Sequence, residues 1–129
     1  LLKKMIVDKQ VQNNVFLLGY CENVFPLIKN SSAVISTSLW EDPGAVMIEA
    51  AYCNKLVISS NCPNGPEEFL EYGKGGYLFK NDDSIDLENK INHFLNENEV
   101  DRKKRINKTN LLKSKLFEKT TKNNLSIFS

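Results

Sequence analysis

Apolar positions change period several times along this chain, and each change marks an element. Residues 15–19 (VFLLG) are a short apolar run closed by glycine, a pattern that suits a buried strand. Val24, Leu27 and Ile28 then recur at helical spacing and predict a helix near 23–31. AVISTS (33–38) predicts a strand, β-branched and ending in small polar residues. AVMIEAAYC (45–53) predicts a buried helix, and LVISS (56–60) a further β-branched strand. PNGPEEFLEYG holds a turn, then a short helix that opens at Pro66 and stops at Gly73. GYLF (76–79) predicts a last short strand. SIDLENKINHFLNE (84–97) is amphipathic, with Ile85, Leu87, Ile91, Phe94 and Leu95 on one side. A final helix, broken or bent, is expected over 101–121.

Strands separated by helices of this length form βαβ units, so the expected fold is α/β: a Rossmann-like parallel sheet with helices on both faces. Ligands of open parallel sheets sit beyond the carboxyl ends of the strands. That rule selects three loops, Gly19–Asn23, Ser36–Gly44 and Ser59–Gly65, all rich in glycine, serine, asparagine or acids. There is no internal repeat and no low-complexity linker.

Composition narrows the class. A chain of 129 residues with 41% hydrophobic and 26% charged residues is a globular domain rather than a disordered segment. Its net charge of +1 hides an asymmetry: residues 1–100 carry a net of −6 and residues 101–129 a net of +7. Two segments are therefore expected, a domain over 1–100 and a basic helix and tail over 101–129. Cys21, Cys53 and Cys62 are odd in number and have no metal-binding spacing, so they read as buried free thiols of a reducing compartment, with a ligand or nucleophile role the lesser reading. LLKKMIVDKQ has no uninterrupted apolar core, and no run reaches the ~18 apolar residues that span a bilayer. A cytoplasmic location is expected. The opening LLKK reads as the middle of a helix, which makes a fragment of something longer the expectation.

The stretch LWEDPGAVMIEA (39–50) carries the densest chemistry. Pro43 fits a first helical position, where its missing N–H costs nothing. Gly44 has no Cβ to keep a ligand from the backbone. The N–H groups of Gly44, Ala45 and Val46 point out of the helix N-terminus, a ready site for phosphate. Glu41 precedes the helix, and Glu49 lies roughly 6–8 Å further along its axis at ~1.5 Å per residue. A diphosphate on that terminus has one carboxylate near each end, and each can accept paired sugar hydroxyls. A nucleotide sugar has that layout. The plainer alternative makes Glu41 an acid favourable to a helix N-terminus and Glu49 a solvated residue. Yet Glu49 is flanked by Val46, Met47, Ile48, Ala50 and Ala51, and an acid in so apolar a helix needs a partner or a cleft.

E-D-P-G-A-V-M-I-E-A resembles the E-x7-E signature of retaining family-4 glycosyltransferases of the GT-B fold. VFLLGYCENV is similar to that family's strand ending in Leu-Gly, SSAVISTSLWEDPG to its hydrophobic strand followed by small polar residues and Glu, and NKLVISSNCPNGPEEFLEYGKGGYLF to the run that follows. About residues 12–97 are covered in the family's order. The resemblance implies a donor-binding domain, lacking its first strand, of an enzyme that transfers a hexose from a nucleotide-diphosphate sugar, UDP-linked, to a glycan or lipid-linked acceptor with retention. Glu41 would contact the transferred sugar, Pro43, Gly44, Ala45 and Val46 the diphosphate and sugar, Glu49 the ribose hydroxyls, and Gly19 the nucleotide pocket. No metal or other cofactor is implied. The acceptor domain is absent from the sequence, as are the basic residues that the family sets against the donor phosphates; no Lys or Arg lies between Lys29 and Lys55. The chain alone is expected to be inactive.

Other candidates have plain alternatives. Trp40 could stack on a ring or cap the core. Asn61 and Asn64 suit a ligand or a turn, and Glu67 and Glu68 suit a helix first turn. Asp82-Asp83 reads as a loop pair and His93 as a boundary histidine. Arg102, Lys103, Lys104, Arg105 and Lys108 read as a solvated face, as a contact with the absent domain, or as a seat for anionic lipid. Nucleic acid is not expected, because aromatics are not interleaved with these cations. The rival function is a non-catalytic nucleotide-binding or interaction module. A response-regulator-like domain is set aside, since the central strand ends Ser36-Thr37-Ser38 without an acceptor Asp.

Overall fold

A computed structural model of the chain describes residues 1–41, 44–111 and 114. Its helices are Leu2–Asp8 (α1), Phe25–Asn30 (α2), Ala45–Tyr52 (α3), Pro66–Phe69 (α4), Ser84–Asn96 (α5) and one over 99–111 (α6); its strands are Ala33–Ser36 (β1), Leu56–Ser60 (β2) and Tyr77–Phe79 (β3). β2 is buried at all five positions. It pairs in parallel with β1 through Val34↔Val57 and Ser36↔Ser59, and with β3 through Ser59↔Leu78 and Ser60↔Phe79.

Successive side chains alternate across a strand, so the sheet has two apolar faces. Val34, Val57 and Leu78 turn to one face, where Met47, Ala50 and Ala51 of α3 cover them together with Phe69 and Leu70. Ala33, Leu56, Ile58, Tyr77 and Phe79 turn to the other, beneath Leu87, Ile91 and Phe94 of α5 and Ile106 of α6. This is the α/β architecture that the sequence pattern implies, a parallel sheet with helices on both faces. All three strands run the same way, so they end at one edge of the molecule.

Some expectations fail, each for a physical reason. Residues 15–20 hold no strand: they run unpaired, and their large side chains are 44–94% exposed. An apolar run becomes a strand only beside another strand, and none of the described ones flanks it. The helix expected over 66–73 closes at Phe69, because Glu71, Tyr72 and Gly73 all adopt positive φ. In α5, Ile85 and Leu95 face solvent, and Leu87, Ile91 and Phe94 make the contact face. Asp83 caps this helix, accepting from the N–H groups of Ile85 and Asp86. Of the helix expected over 101–121, α6 accounts for the part up to 111; residues 112, 113 and 115–129 lie outside the described residues.

α6 is fastened by its own cations. Arg102 lies 4.4 Å from the Phe94 ring centroid and donates to the Phe94 carbonyl at 2.8 Å. Arg105 lies 4.6 Å from the Tyr77 ring centroid, donates to Glu97 Oε1 at 2.7 Å and reaches the Gly73 carbonyl at 2.7 Å. Burial, then the Glu97 carboxylate, push the Tyr77 hydroxyl above its ordinary range, and Arg105 works against them. Thr109 is buried and donates to the Gly75 carbonyl at 2.7 Å. The chain before β3 passes so close to β2 that a Cβ on Gly76 would stand 2.5 Å from the Val57 carbonyl oxygen.

Thr109→Val keeps the volume of the side chain and leaves the Gly75 carbonyl unpaired. It is expected to lower stability by about 1–2 kcal/mol, read as a lower urea midpoint at unchanged m-value.

Candidate functional site

The chain leaves β1 at Ser36 and enters a loop without strand pairing that carries Glu41. Ser36 Oγ–H donates to Glu41 Oε1 at 3.3 Å, and Ser36 and Ser38 share a hydroxyl–hydroxyl hydrogen bond at 3.3 Å. The Glu41 N–H donates to the Pro63 carbonyl, 3.4 Å away in the loop after β2. Two further tethers cross the strand ends: Ser60 Oγ–H donates to the Ser38 carbonyl, and Asn81 Nδ2 to the Leu39 carbonyl at 3.4 Å. The loop that bears Glu41 is thus held from β1, β2 and the segment after β3.

Gly44 is the N-cap of α3 and is buried, with φ 60° and ψ 57°. This is left-handed backbone, which glycine adopts without penalty. A Cβ there would collide with Met47 Cε and stand 3.7 Å from Glu41 Oε2. The glycine is therefore required by the fold, and the space beside its Cα is filled by Met47. It has no side chain to cap the helix, and the first-turn N–H groups of Ala45 and Val46 face the end where Glu41 lies. A carboxylate near such a terminus is favoured by the helix dipole. Ala45 is exposed and Val46 half-buried, so the terminus is reachable from solvent.

Glu49 lies on the same helix, about 7.5 Å along the axis from Gly44 at ~1.5 Å per residue. It is half-buried among apolar neighbours, and no hydrogen bond or ion pair among the described residues engages its carboxylate. A half-buried acid whose acceptors no described residue engages is available to a ligand's hydroxyls.

The remaining candidates divide. Pro43 lies outside the described residues. Gly19 has φ +67°, and a Cβ there would meet nothing within 4 Å, so it stands in open space on the unpaired segment. Trp40 is exposed, beside Glu41. Asn61 continues the β2–β3 ladder, its N–H donating to the Phe79 carbonyl at 2.8 Å, and Asn64 sits at positive φ as turns require. Glu67 and Glu68 occupy the first turn of α4. Cys62 is buried, Cys21 and Cys53 are half-buried, and all three are free thiols. Among the described residues no group of three or more His, Cys, Asp or Glu gathers as a metal site, and no helix is long and apolar enough to cross a membrane. Two cavities of about 320 and 330 Å³ border α6 near the start of β3, at the opposite end of the sheet from Glu41. Sequence reasoning missed Ser60 and Asn81. The small polar end of LVISS is a faint signal for the first, and nothing local marks the second.

Comparison with known proteins gives this geometry its family. Residues 1–111 match the family described as Glycosyl transferases group 1, and the chain belongs to it. It is 37% identical over 95 residues to a poly(ribitol-phosphate) alpha-N-acetylglucosaminyltransferase of Staphylococcus aureus, covering 74% of this chain and 19% of that protein. It is 33% identical over 79 residues to the poly(glycerol-phosphate) alpha-glucosyltransferase of Bacillus subtilis, covering 61% of this chain and 12% of that protein. Among solved structures, TarM superposes with a TM-score of 0.85 at 32% identity, over 99% of this chain and 26% of that one. Anabaena HepE in complex with UDP-glucose superposes at 0.81 with 26% identity, over 97% of this chain and 35% of that one. These neighbours are GT-B glycosyltransferases. The chain spans roughly an eighth to a third of the length of these relatives.

Gly44→Ala is expected to cost about 1–2 kcal/mol from the left-handed backbone alone. Displacement of Met47, whose side chain is fully buried, adds to this. Chemical denaturation of the variant measures both together.

Proposed function

We propose that this chain is the donor-binding part of a retaining hexosyltransferase of family-4 type that uses a nucleotide-diphosphate sugar. The observation that carries the reading is the half-buried Glu49, without a partner among the described residues, on the helix whose N-terminus Glu41 faces, at the carboxyl ends of a parallel sheet. The ribose diol binds Glu49, the diphosphate lies against the N–H groups of Gly44, Ala45 and Val46, and Glu41 meets hydroxyls of the hexose. Negative charge that develops on the departing diphosphate falls where the helix dipole and these donors favour it. The acceptor oxygen bonds to the anomeric carbon on the face that the diphosphate leaves, and its proton goes to the departing phosphate oxygen.

Several observations support this reading. A TarM variant was crystallised with UDP and alpha-GlcNAc-glycerol, and HepE with UDP-glucose. UDP is accordingly the nucleotide proposed. The two named relatives act on polyol-phosphate polymers, which favours a glycan-type acceptor and a role in polysaccharide biosynthesis. The acceptor is bound by polypeptide other than the described residues, and the reaction needs neither metal nor other cofactor. Contact with an anionic membrane surface falls to Lys103, Lys104 and Lys108, because Arg102 and Arg105 are turned into the fold.

Calorimetric titration with UDP and GDP tests the reading. Weak, saturable binding of UDP is expected, and Glu49→Ala is expected to weaken it by about 10–100-fold, the worth of hydrogen bonds to a charged group. Equal affinity of the variant and the parent for UDP would sink the assignment of Glu49. Turnover by the 129 residues alone at rates of a full transferase would sink the view that they are the donor half only.

A further inference from the structure

Glu41 lies on a loop, and a carboxylate that must meet particular hydroxyls has to be held within about 0.5 Å. The loop's own sequence supplies little of that restraint. It has no strand pairing, and its local hydrogen bonds, from Ser36 to Glu41 and between Ser36 and Ser38, join side chains and leave its carbonyls unheld. The side chains that grip its backbone come from far along the chain. Ser60, 22 residues from Ser38, donates to the Ser38 carbonyl, and Asn81, 42 residues from Leu39, donates to the Leu39 carbonyl.

Neither residue is explained by the fold alone. Ser60 is 1% exposed at the last position of β2, where an apolar side chain would be the ordinary occupant. A buried hydroxyl costs free energy unless it is hydrogen-bonded, and the carbonyl of Ser38 is what this one reaches. Asn81 Oδ1 is buried without a partner among the described residues, so its amide contributes little to stability. Its Nδ2 nonetheless reaches the residue two before Glu41.

We propose that Ser60 and Asn81 are positioning residues that fix the carbonyls of Ser38 and Leu39 and thereby set where the Glu41 carboxylate meets the donor's sugar. The inference rests on the reading of Glu41 as a sugar contact. It adds that the sugar end of the site is governed from β2 and from the segment after β3, whereas the nucleotide end is governed by α3.

The test joins two measurements on the 129-residue chain. Amide hydrogen exchange, followed by NMR, reports the loop directly. In Ser60→Ala, exchange at Glu41, whose N–H donates to Pro63, is expected to quicken about tenfold or more while Val57 and Ile58 keep their protection. Ser59→Ala is the matched control, because Ser59 is equally buried but donates to the Ser60 carbonyl rather than to the loop. It should leave exchange at Glu41 alone. Calorimetry then compares UDP with UDP-glucose and UDP-N-acetylglucosamine. Ser60→Ala and Asn81→Ala are expected to lose most of the affinity gained from the hexose while UDP itself binds as in the parent. Ser60→Thr, which keeps the hydroxyl, should restore that gain. Unchanged exchange at Glu41 in Ser60→Ala, or an unchanged hexose gain in both alanine variants, would overturn the positioning role and leave the donor reading standing. Failure of the parent chain to bind any of the three ligands would overturn the donor reading and the positioning role together.

Discussion

Burying β2 on every side is the constraint from which the other features follow. A strand enclosed on both faces and paired along both edges can meet solvent only at its ends, and parallel pairing points the ends of all three strands the same way. Apolar residues fill the strand interiors. The serines fall at the close of β1 and β2, where Ser36, Ser59 and Ser60 are buried but hydrogen-bonded. Polar chemistry is thereby concentrated along one edge of the sheet, and α3 starts from that edge. Its N-terminus, a concentration of unsatisfied donors, is delivered to the same place as the acids.

The far edge is organised by a different economy. In a count of charges, Arg102 and Arg105 are indistinguishable from Lys103 and Lys104. In the structure the arginines lie over Phe94 and Tyr77 and donate to backbone carbonyls, while the two lysines are 70–71% exposed in i,i+3 and i,i+4 pairs. A guanidinium is planar, weakly hydrated and rich in donors, so it can pack on a ring and satisfy carbonyls at once; an ammonium cannot. The exposed pairs contribute little to stability, and Arg102, Arg105 and Thr109 hold α6 down together with Ile106. Residues before and after position 100 accordingly share one apolar cluster, in which Ile106 joins Phe94.

The elements legible in the sequence were those whose burial is decided locally. AVIS, LVIS and AVMIEAAY pack on one another across short connections, and their periodicity named them. VFLLG has the same composition as a buried strand and is not one, because pairing is a property of two segments and no described strand lies beside it. Ile85 precedes Phe94 by about two and a half turns of α5 and so lies on the opposite side of the helix, and Leu95 is turned off the face that Leu87, Ile91 and Phe94 make. In the candidate site, the eight-residue spacing of Glu41 and Glu49 was visible because one of them belongs to a helix and the other immediately precedes it. The tethers from Ser60 and Asn81 were not legible, because their relation to the loop spans 22 and 42 residues. Gly44 was legible as a glycine of consequence. Its left-handed backbone and its closeness to Met47 emerge only when α3 is folded back onto the sheet.

The two acids are held in physically different ways, and this bears on how such a site can vary. Glu49 is placed by the regular geometry of α3, a helix pinned to the sheet by Met47, Ala50 and Ala51. Any sequence that keeps that face keeps the carboxylate within a fraction of a helical turn of the same spot. Glu41 has no such regular frame, and its position is the resultant of single hydrogen bonds from three segments. A substitution in any one of them bears first on Glu41, since the apolar contacts that anchor α3 are made by other residues. Under the donor reading, the part of the ligand common to many sugar nucleotides is met by the rigid element, and the part that differs among them by the adjustable one. A scaffold arranged in this way can change the sugar it accepts through a few polar residues at the strand ends while its core and its hold on the nucleotide stay as they are.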